Sequence, residues 1–280
     1  MVKIAAIGDN VVDCYPATGS MYPGGNCLNV SVYIRRFGGT SAYIGAIGRD
    51  GGGEHILRAL REEGVDVTRV RQPNGPTAYC VIGHREEERV FLTFDLGVSM
   101  FVPSREEIAF LNGFDAVHVG QSSGLDAHLE AIAVEAPLSY DFSTRQGAAH
   151  RRAIAPLCFL ASVSGGDLTL QAATAISDDL LQAGAKWVLV TLGKQGAFLR
   201  HAQERFYVAA AKVAPVDTLG AGDTFIARTL YGLLAGEGPQ ASLEAAAVAA
   251  ARTCQYFGAV GHGAPIDIAG NLDELTWNIS

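Results

Sequence analysis

The chain has no long apolar run, no basic cluster and no paired cysteines. Its N-terminal run, Lys3 to Ile7, is cut short by Gly8 and Asp9. That length suits a buried strand and falls well short of a secretory leader or a membrane span. Lys and Arg number 21 against 29 Asp and Glu, a net charge of −8, which argues against nucleic acid as a partner. The pairs Arg35-Arg36 and Arg151-Arg152 read as solvated helix faces rather than a binding patch. Cys14, Cys27, Cys80, Cys158 and Cys254 are scattered, odd in number and without a C-x-x-C spacing, as expected of reduced thiols in a cytoplasmic protein. Several catalytic signatures are missing too. The Gly193-Lys194 pair lacks the remainder of a Walker A loop. The histidines show no metal-site spacing, and no G-x-S-x-G elbow occurs.

What is present is an α/β pattern. The 280 residues are 49% hydrophobic, enough for one large α/β domain or two small ones. Apolar runs at Lys3–Ile7, Ala42–Ile47, Ala116–Val119, Leu138–Phe142, Phe159–Val163 and Trp187–Thr191 alternate with helical patterns. This rhythm implies a mainly parallel sheet with helices on both faces and ligands beyond the C-terminal strand ends. The loops there carry Asp13, Asp141, Asp167 and Gly193. Helices are expected from Cys27 to Arg36, Glu54 to Glu63, Thr224 to Ala235 and Ser242 to Phe257. Thr77–Gly83 and Arg89–Asp95 read as a hairpin with a charged tip, His84 to Glu88. Strict alternation puts Val90, Leu92 and Phe94 on one face of the second run and Phe91 on the other. With both faces apolar, the hairpin is expected to cover a site on one side and to meet a partner subunit on the other.

The most informative stretch is Asp217-Thr218-Leu219-Gly220-Ala221-Gly222-Asp223-Thr224-Phe225-Ile226. Small residues feeding a helix leave its first N–H groups uncovered, in the field of the helix N-terminus, where an anion such as a phosphate can sit. Asp223 at the edge of that cradle suggests phosphoryl transfer with a carboxylate as base. Alone, the stretch reads equally as an ordinary helix start with Asp223 near the N-cap. As a dinucleotide fingerprint it lacks the third glycine. A second glycine turn, Pro23-Gly24-Gly25-Asn26, opens another helix, on whose first turns Asn29 can offer a carboxamide. Asp13, just after the first strand, can accept hydrogen bonds from two hydroxyls of a polyol.

Taken together, Gly24-Gly25-x-x-x-Asn29 and Asp217-Thr218-x-Gly220-Ala221-Gly222-Asp223-Thr224-Phe225 resemble the two signatures of the ribokinase-like (PfkB) carbohydrate kinases. Gly45-x-Ile47-Gly48-x-Asp50, Gly64-Val65-Asp66 and Val190-Thr191-Leu192-Gly193-x-x-Gly196 extend the likeness over nearly the whole chain. The resemblance implies one three-layer αβα domain, residues 1–280, with a small β lid from approximately 11–22 and 77–95. It implies ATP and Mg2+ as cofactors, and often a homodimer formed through the lid. Asp223 would be the base, with Gly220, Ala221 and Gly222 forming the anion hole. Asp13, Gly25 and Asn29 would bind the sugar, and Asp9, Phe94 and Arg89 are further candidates. Thr191, Gly193, Gly196, Asp217, Thr218, Ala251 and Cys254 would line the nucleotide site. Where the family carries Asn-x-x-Glu, this chain has Ser164-Gly165-Gly166-Asp167, so Asp167 is either a metal-shell carboxylate or a helix N-cap.

Gly8-Asp9-Asn10-x-Val12-Asp13-x-Tyr15-Pro16, Asp141-Phe142-Ser143 and the two signatures are most similar to a branch of bacterial fructoselysine 6-kinases. The implied reaction is phosphorylation of the 6-hydroxyl of a fructosamine. Such a substrate carries a cationic amine and a zwitterionic amino-acid end beyond the sugar, which call for a carboxylate and an Arg there; Asp9, Asp95, Asp141 and Arg89 are the candidates. Fructokinase or another ketose kinase is the alternative. A non-catalytic sugar or nucleotide sensor would require an inert Asp223.

Overall fold

The computed structural model describes residues 1–85, 88–144 and 147–268. Its main sheet has eight strands: β1 (Lys3–Ile7), β4 (Thr40–Ile44), β7 (Ala116–Gly120), β8 (Leu138–Asp141), β9 (Cys158–Ser164), β10 (Trp187–Thr191), β11 (Ala197–His201) and β12 (Glu204–Val208). Their order is β12-β11-β10-β9-β8-β7-β1-β4. The six strands from β10 to β4 are parallel, while β11 and β12 form an antiparallel edge.

Side-chain alternation divides this sheet between two cores. On β1, Ile4 and Ala6 join one cluster, and Ala5 and Ile7 join the other. The first face is covered by α1 (Asn26–Arg36), α2 (Gly51–Glu62), α7 (Ala221–Leu234) and α8 (Pro239–Thr253). The second is covered by α3 (Arg105–Phe110), α4 (Leu129–Glu135), α5 (Ala148–Ile154) and α6 (Leu170–Gln182). The result is a three-layer α/β sandwich. Strand order reverses at β1, between β4 and β7, and the loops leaving β1 and β7 open at that switch point.

A second sheet lies over those loops. It contains β2 (Val11–Tyr15), β3 (Ser20–Gly24), β5 (Tyr79–Arg85), β6 (Glu88–Asp95) and the short β13 (Ala264–Pro265), in the order β13-β3-β2-β5-β6. Asp50 ties it to the main body. Its carboxylate caps α2 through Gly53 N (2.9 Å) and also accepts from Thr77 N (2.8 Å), just ahead of β5.

Three expectations are corrected here. First, the pairing of β5 with β6 shifts register between Val81 and Ile82, so Ile82 faces Phe91 while Cys80 faces Phe94. One extra residue turns Phe91 to the side of Phe94, where strict alternation had put them on opposite faces. Second, Arg151 is buried and paired with Asp179, and Arg36 is paired with Glu63. Of the two basic pairs, only Arg151 leaves the expected solvated face; Arg36 and Arg152 stay exposed while pairing with Glu63 and Asp179. Third, α6 is capped by Thr169, whose side chain accepts from Ala172 N. Asp167 sits exposed on the preceding turn and is not the N-cap. Of the hairpin tip, Glu86 and Glu87 lie outside the described residues. All five cysteines are buried and outside any disulfide, and among the described residues no helix is long and apolar enough to cross a membrane.

Candidate active site

Two glycine turns meet at the switch point. Gly25 has φ 106°, and a Cβ there would lie 2.6 Å from Asn10 Cα, so only glycine lets α1 begin against the loop after β1. Asp9 completes the junction: its carboxylate accepts from Asn26 N (2.9 Å) and from Ser123 Oγ (2.7 Å). It thereby supplies the first turn of α1 with an acceptor from outside the helix. Gly24 leaves room for Asp13, since a Cβ at that position would fall 2.0 Å from Asp13 Oδ2.

The other turn is the start of α7. Gly220 takes φ 77°, and a Cβ there would lie 2.7 Å from Ala259 Cα. The main-chain ladder of α7 begins with Thr224 N to Gly220 O (2.9 Å), and of the N–H groups gathered at the helix mouth before it, Ala221 N makes a long contact to Thr218 O (3.4 Å). Asp217 braces the turn from inside. It is buried and accepts from Leu219 N (2.9 Å), Gly258 N (3.1 Å) and the Tyr15 hydroxyl, linking β2 of the second sheet to the turn. Thr218 is exposed ahead of it, and Val216 N donates to Cys254 O (2.7 Å).

Asp223, on the first turn of α7, faces α1. Asn29 Nδ2 donates to its Oδ2 at 2.7 Å, and Asn26 Nδ2 to its Oδ1 at 2.8 Å. These asparagines are three residues apart on one helix and therefore share a face. Asn26 Nδ2 also reaches Asp141 Oδ2, at 3.1 Å. Asp141 is buried at the end of β8. Burial, with Asp223 and Asp9 nearby, pushes its carboxyl up to about 7, against the hydrogen bonds from Ser143 N and Ser162.

A cavity of about 280 Å³ joins these parts. Its polar wall includes Asp9, Asp13, Asn29 and Asp223, and its apolar wall Phe91, Phe94 and Leu96. Asp95 stands at the boundary. No Lys, Arg or His side chain lines it among the described residues. Asn10 and Asn29 each keep a buried carboxamide oxygen with no donor. A hydroxyl-rich ligand supplies the donors that such oxygens lack. The backbone of Arg89 pairs with His84 on the hairpin, but its side chain lies outside what the structure describes.

The remaining expected residues lie along β10, β11 and α8. Thr191 ends β10, Gly193 and Gly196 bound the turn into β11, and α8, which carries Ala251 and ends just before Cys254, packs on β11 and β12. Among the described residues no cluster of three His, Cys, Asp or Glu side chains could hold a metal. Sequence reasoning passed over Asn26 and His118. The signals were available: Asn26 stands one turn before Asn29, and His118 interrupts the apolar strand β7.

Comparison with known proteins agrees with this geometry. The profile of the pfkB family carbohydrate kinases matches residues 2–266. The chain is 34% identical to the fructosamine kinase FrlD of Bacillus subtilis, covering 98% of this chain and 99% of that one. It is also 34% identical to the fructoselysine 6-kinase of Escherichia coli, over 92% of this chain and all of the other. Among solved structures, Arabidopsis thaliana ribokinase complexed with ribose and ATP superposes with a TM-score of 0.81 at 20% identity, covering 94% of this chain and 96% of that one. A putative ribokinase II from Escherichia coli in complex with ATP and Mg2+ superposes with a TM-score of 0.78 at 22% identity, covering 93% and 95%. Matched along nearly its whole length, the chain belongs to the pfkB family of carbohydrate kinases.

Proposed function

We propose that this kinase transfers the γ-phosphoryl group of ATP to the 6-hydroxyl of a fructosamine such as fructoselysine. The observation that carries the reading is the charge of the cavity: Asp9, Asp13, Asp95 and Asp223 line it, and no described cationic side chain does. A neutral ketose needs hydroxyl acceptors only. An ammonium-bearing ketose also gains from the surplus of carboxylates. The apolar wall of Phe91, Phe94 and Leu96 suits the aliphatic arm of the amino acid.

In this reading Asp13 and the Asn10 and Asn29 oxygens bind the sugar hydroxyls. Asn26 and Asn29 orient the Asp223 carboxylate, and each of its oxygens retains acceptor capacity for the attacking hydroxyl. Asp223 takes the proton as the hydroxyl oxygen bonds to the γ-phosphorus and the bond to the ADP oxygen breaks. The Gly220–Gly222 turn receives the phosphoryl oxygens at the α7 N-terminus. ATP lies along Thr191, Gly193, Gly196, Ala251 and Cys254. The protein has no carboxylate cage for Mg2+ among its described residues, which fits an ion held mainly by ATP phosphates and water. When bound it neutralises phosphate charge, and Asp167 is the carboxylate assigned to its outer shell. The edge strand β6, with exposed Leu92 and Phe94, is assigned to a second copy of the chain.

The test is ADP release with fructoselysine, other fructosamines, fructose and ribose as acceptors. A ten-fold or greater preference in kcat/KM for fructosamines, about 1.4 kcal/mol of transition-state discrimination, is expected. Equal or better turnover of fructose removes the fructosamine assignment and leaves a ketose kinase.

A further inference from the structure

Beneath the two asparagines lies a buried histidine that the reaction as described does not use. His118 projects from the middle of β7 and is fully enclosed. Its Nε2 is 2.8 Å from Asn26 Oδ1, and its Nδ1 is 3.0 Å from Ser139 Oγ on β8. We propose that His118 and Asn26 form a support that positions Asp223, the imidazole fixing the Asn26 carboxamide so that its NH2 group holds Asp223 and Asp141 together. The proposal rests on the reading of Asp223 as the base.

The orientation follows from donor and acceptor chemistry. Asn26 Nδ2 meets two carboxylate oxygens, of Asp223 and Asp141, and an NH2 group has one hydrogen for each. The flipped amide would set its carbonyl oxygen against both carboxylates. Oδ1 must therefore face His118, and an oxygen that only accepts requires a hydrogen on Nε2. Nδ1 is then left with a lone pair, which accepts from the Ser139 hydroxyl. The ring is neutral in this arrangement, and burial supports it, holding the imidazole down to about 3. Gly120, two residues along the same strand face, keeps the space open, since a Cβ there would sit 2.3 Å from Asn26 Oδ1.

This support bears on protonation as well as position. Asp223 and Asp9 both act on Asp141, Asp9, Asp13 and Asp95 share the cavity with Asp223, Asn29 also donates to Asp223, and no described cationic side chain lines the cavity. Donors to a carboxylate favour its ionised form. An Asn26 free to rotate withdraws one of them, and the pair Asp141 and Asp223 then holds a proton to higher pH.

The test is kinase activity against pH for His118→Leu and His118→Gln with fructoselysine and ATP. His118→Leu is expected to lower kcat roughly ten- to a hundred-fold. It should leave KM for ATP unchanged and move the acid limb of kcat to higher pH. His118→Gln, which retains an N–H for Asn26 Oδ1, is expected to recover most of the loss. Parental kcat and pH profile in the Leu variant, or equal impairment of both variants, overturns the proposal. Should His118→Leu not fold, Asn26→Ala is read the same way: a displaced acid limb supports the proposal and a parental one overturns it. A readout independent of turnover is the 15N spectrum of the His118 ring in the parent protein. An Nε2–H tautomer that does not titrate between about pH 5 and 8 is expected, the unperturbed range of histidine. An Nδ1–H tautomer or a titrating ring overturns it. A fully active Asp223→Asn variant would instead remove the base while leaving the tautomer result standing.

Discussion

Asn29 Nδ2 lies 2.7 Å from Asp223 Oδ2, a contact between residues 194 positions apart in the chain. It joins the first turns of α1 and α7, the parts of the cavity proposed to hold the sugar and to receive the phosphate. Replacing Asp223 by Asn keeps the size of the side chain and removes its capacity as a base. Its amide also places an NH2 group opposite the Asn26 and Asn29 donors. We expect kcat to fall by about 10²–10⁴ while ATP affinity stays within a few-fold, as measured by ADP release and by direct titration. Near-parental kcat would remove Asp223 from the chemistry.

Asp13 is the residue proposed to hold the sugar. It is buried on β2, beside the space left by Gly24, and lines the cavity. A charged hydrogen bond to a ligand contributes about 1.5–3 kcal/mol. Asp13→Ala should therefore raise KM for the sugar by roughly ten- to a hundred-fold, with KM for ATP unchanged. An unaltered KM for every accepted sugar would take Asp13 out of the binding site.

The two glycines of the phosphate turn differ in kind, and this gives a paired test. At Gly220 a methyl group meets Ala259 and the backbone is left-handed; at Gly222 nothing lies within 4 Å of the added atom. Gly220→Ala should lower stability by about 1–3 kcal/mol, seen as a drop in Tm. Gly222→Ala should leave Tm nearly unchanged and still impair turnover, because the added methyl stands at the helix mouth proposed to receive phosphate. Equal Tm values for the two variants would show that the turn can relax around Ala259.

Asp141 predicts a pH dependence of stability. An unfolded Asp titrates near ~3.9, whereas burial pushes the folded carboxyl up to about 7. Between those values the folded chain holds a proton that the unfolded chain has released. This contribution is fully present below the unfolded pKa and is lost as pH rises through the folded one. Urea unfolding from pH 4.5 to 8 should show that decline, and Asp141→Asn should flatten it. An unchanged slope in the variant would assign the dependence to other groups.

Much of this site was legible because glycine turns and helix starts are local features. Gly24-Gly25 and Gly220–Gly222 announce themselves by composition, and Asp223 and Asn29 follow from their distance along each helix. The apolar strands were equally plain, since parallel strands buried on both faces leave continuous hydrophobic runs. What stayed hidden depends on pairing between distant segments. The register shift at Val81 and Ile82 depends on how β5 meets β6, so alternation within β6 alone misplaces Phe91. The role of His118 depends on Asn26 standing above it, which no spacing within β7 reveals. Arg151 looked like surface because its partner Asp179 lies on another helix.

The last prediction concerns the second copy. Strand β6 is an edge of its sheet, and Phe91, Leu92, Phe94 and Leu96 are exposed on or just beyond it, at 59%, 38%, 66% and 49%. An apolar edge left open is a template for pairing with another chain, and a lysine on such an edge opposes that pairing. Leu92 packs beside Gly83 and does not line the cavity, so it can be changed without removing a contact to substrate. If two copies meet here, Leu92→Lys should yield monomer where the parent sediments as a dimer at equal concentration. The Tm of the folded chain should move little, because the Leu92 side chain is already partly in water. A variant that remains dimeric would place the interface on another surface, and a monomeric parent would leave the apolar rim to the substrate's arm alone.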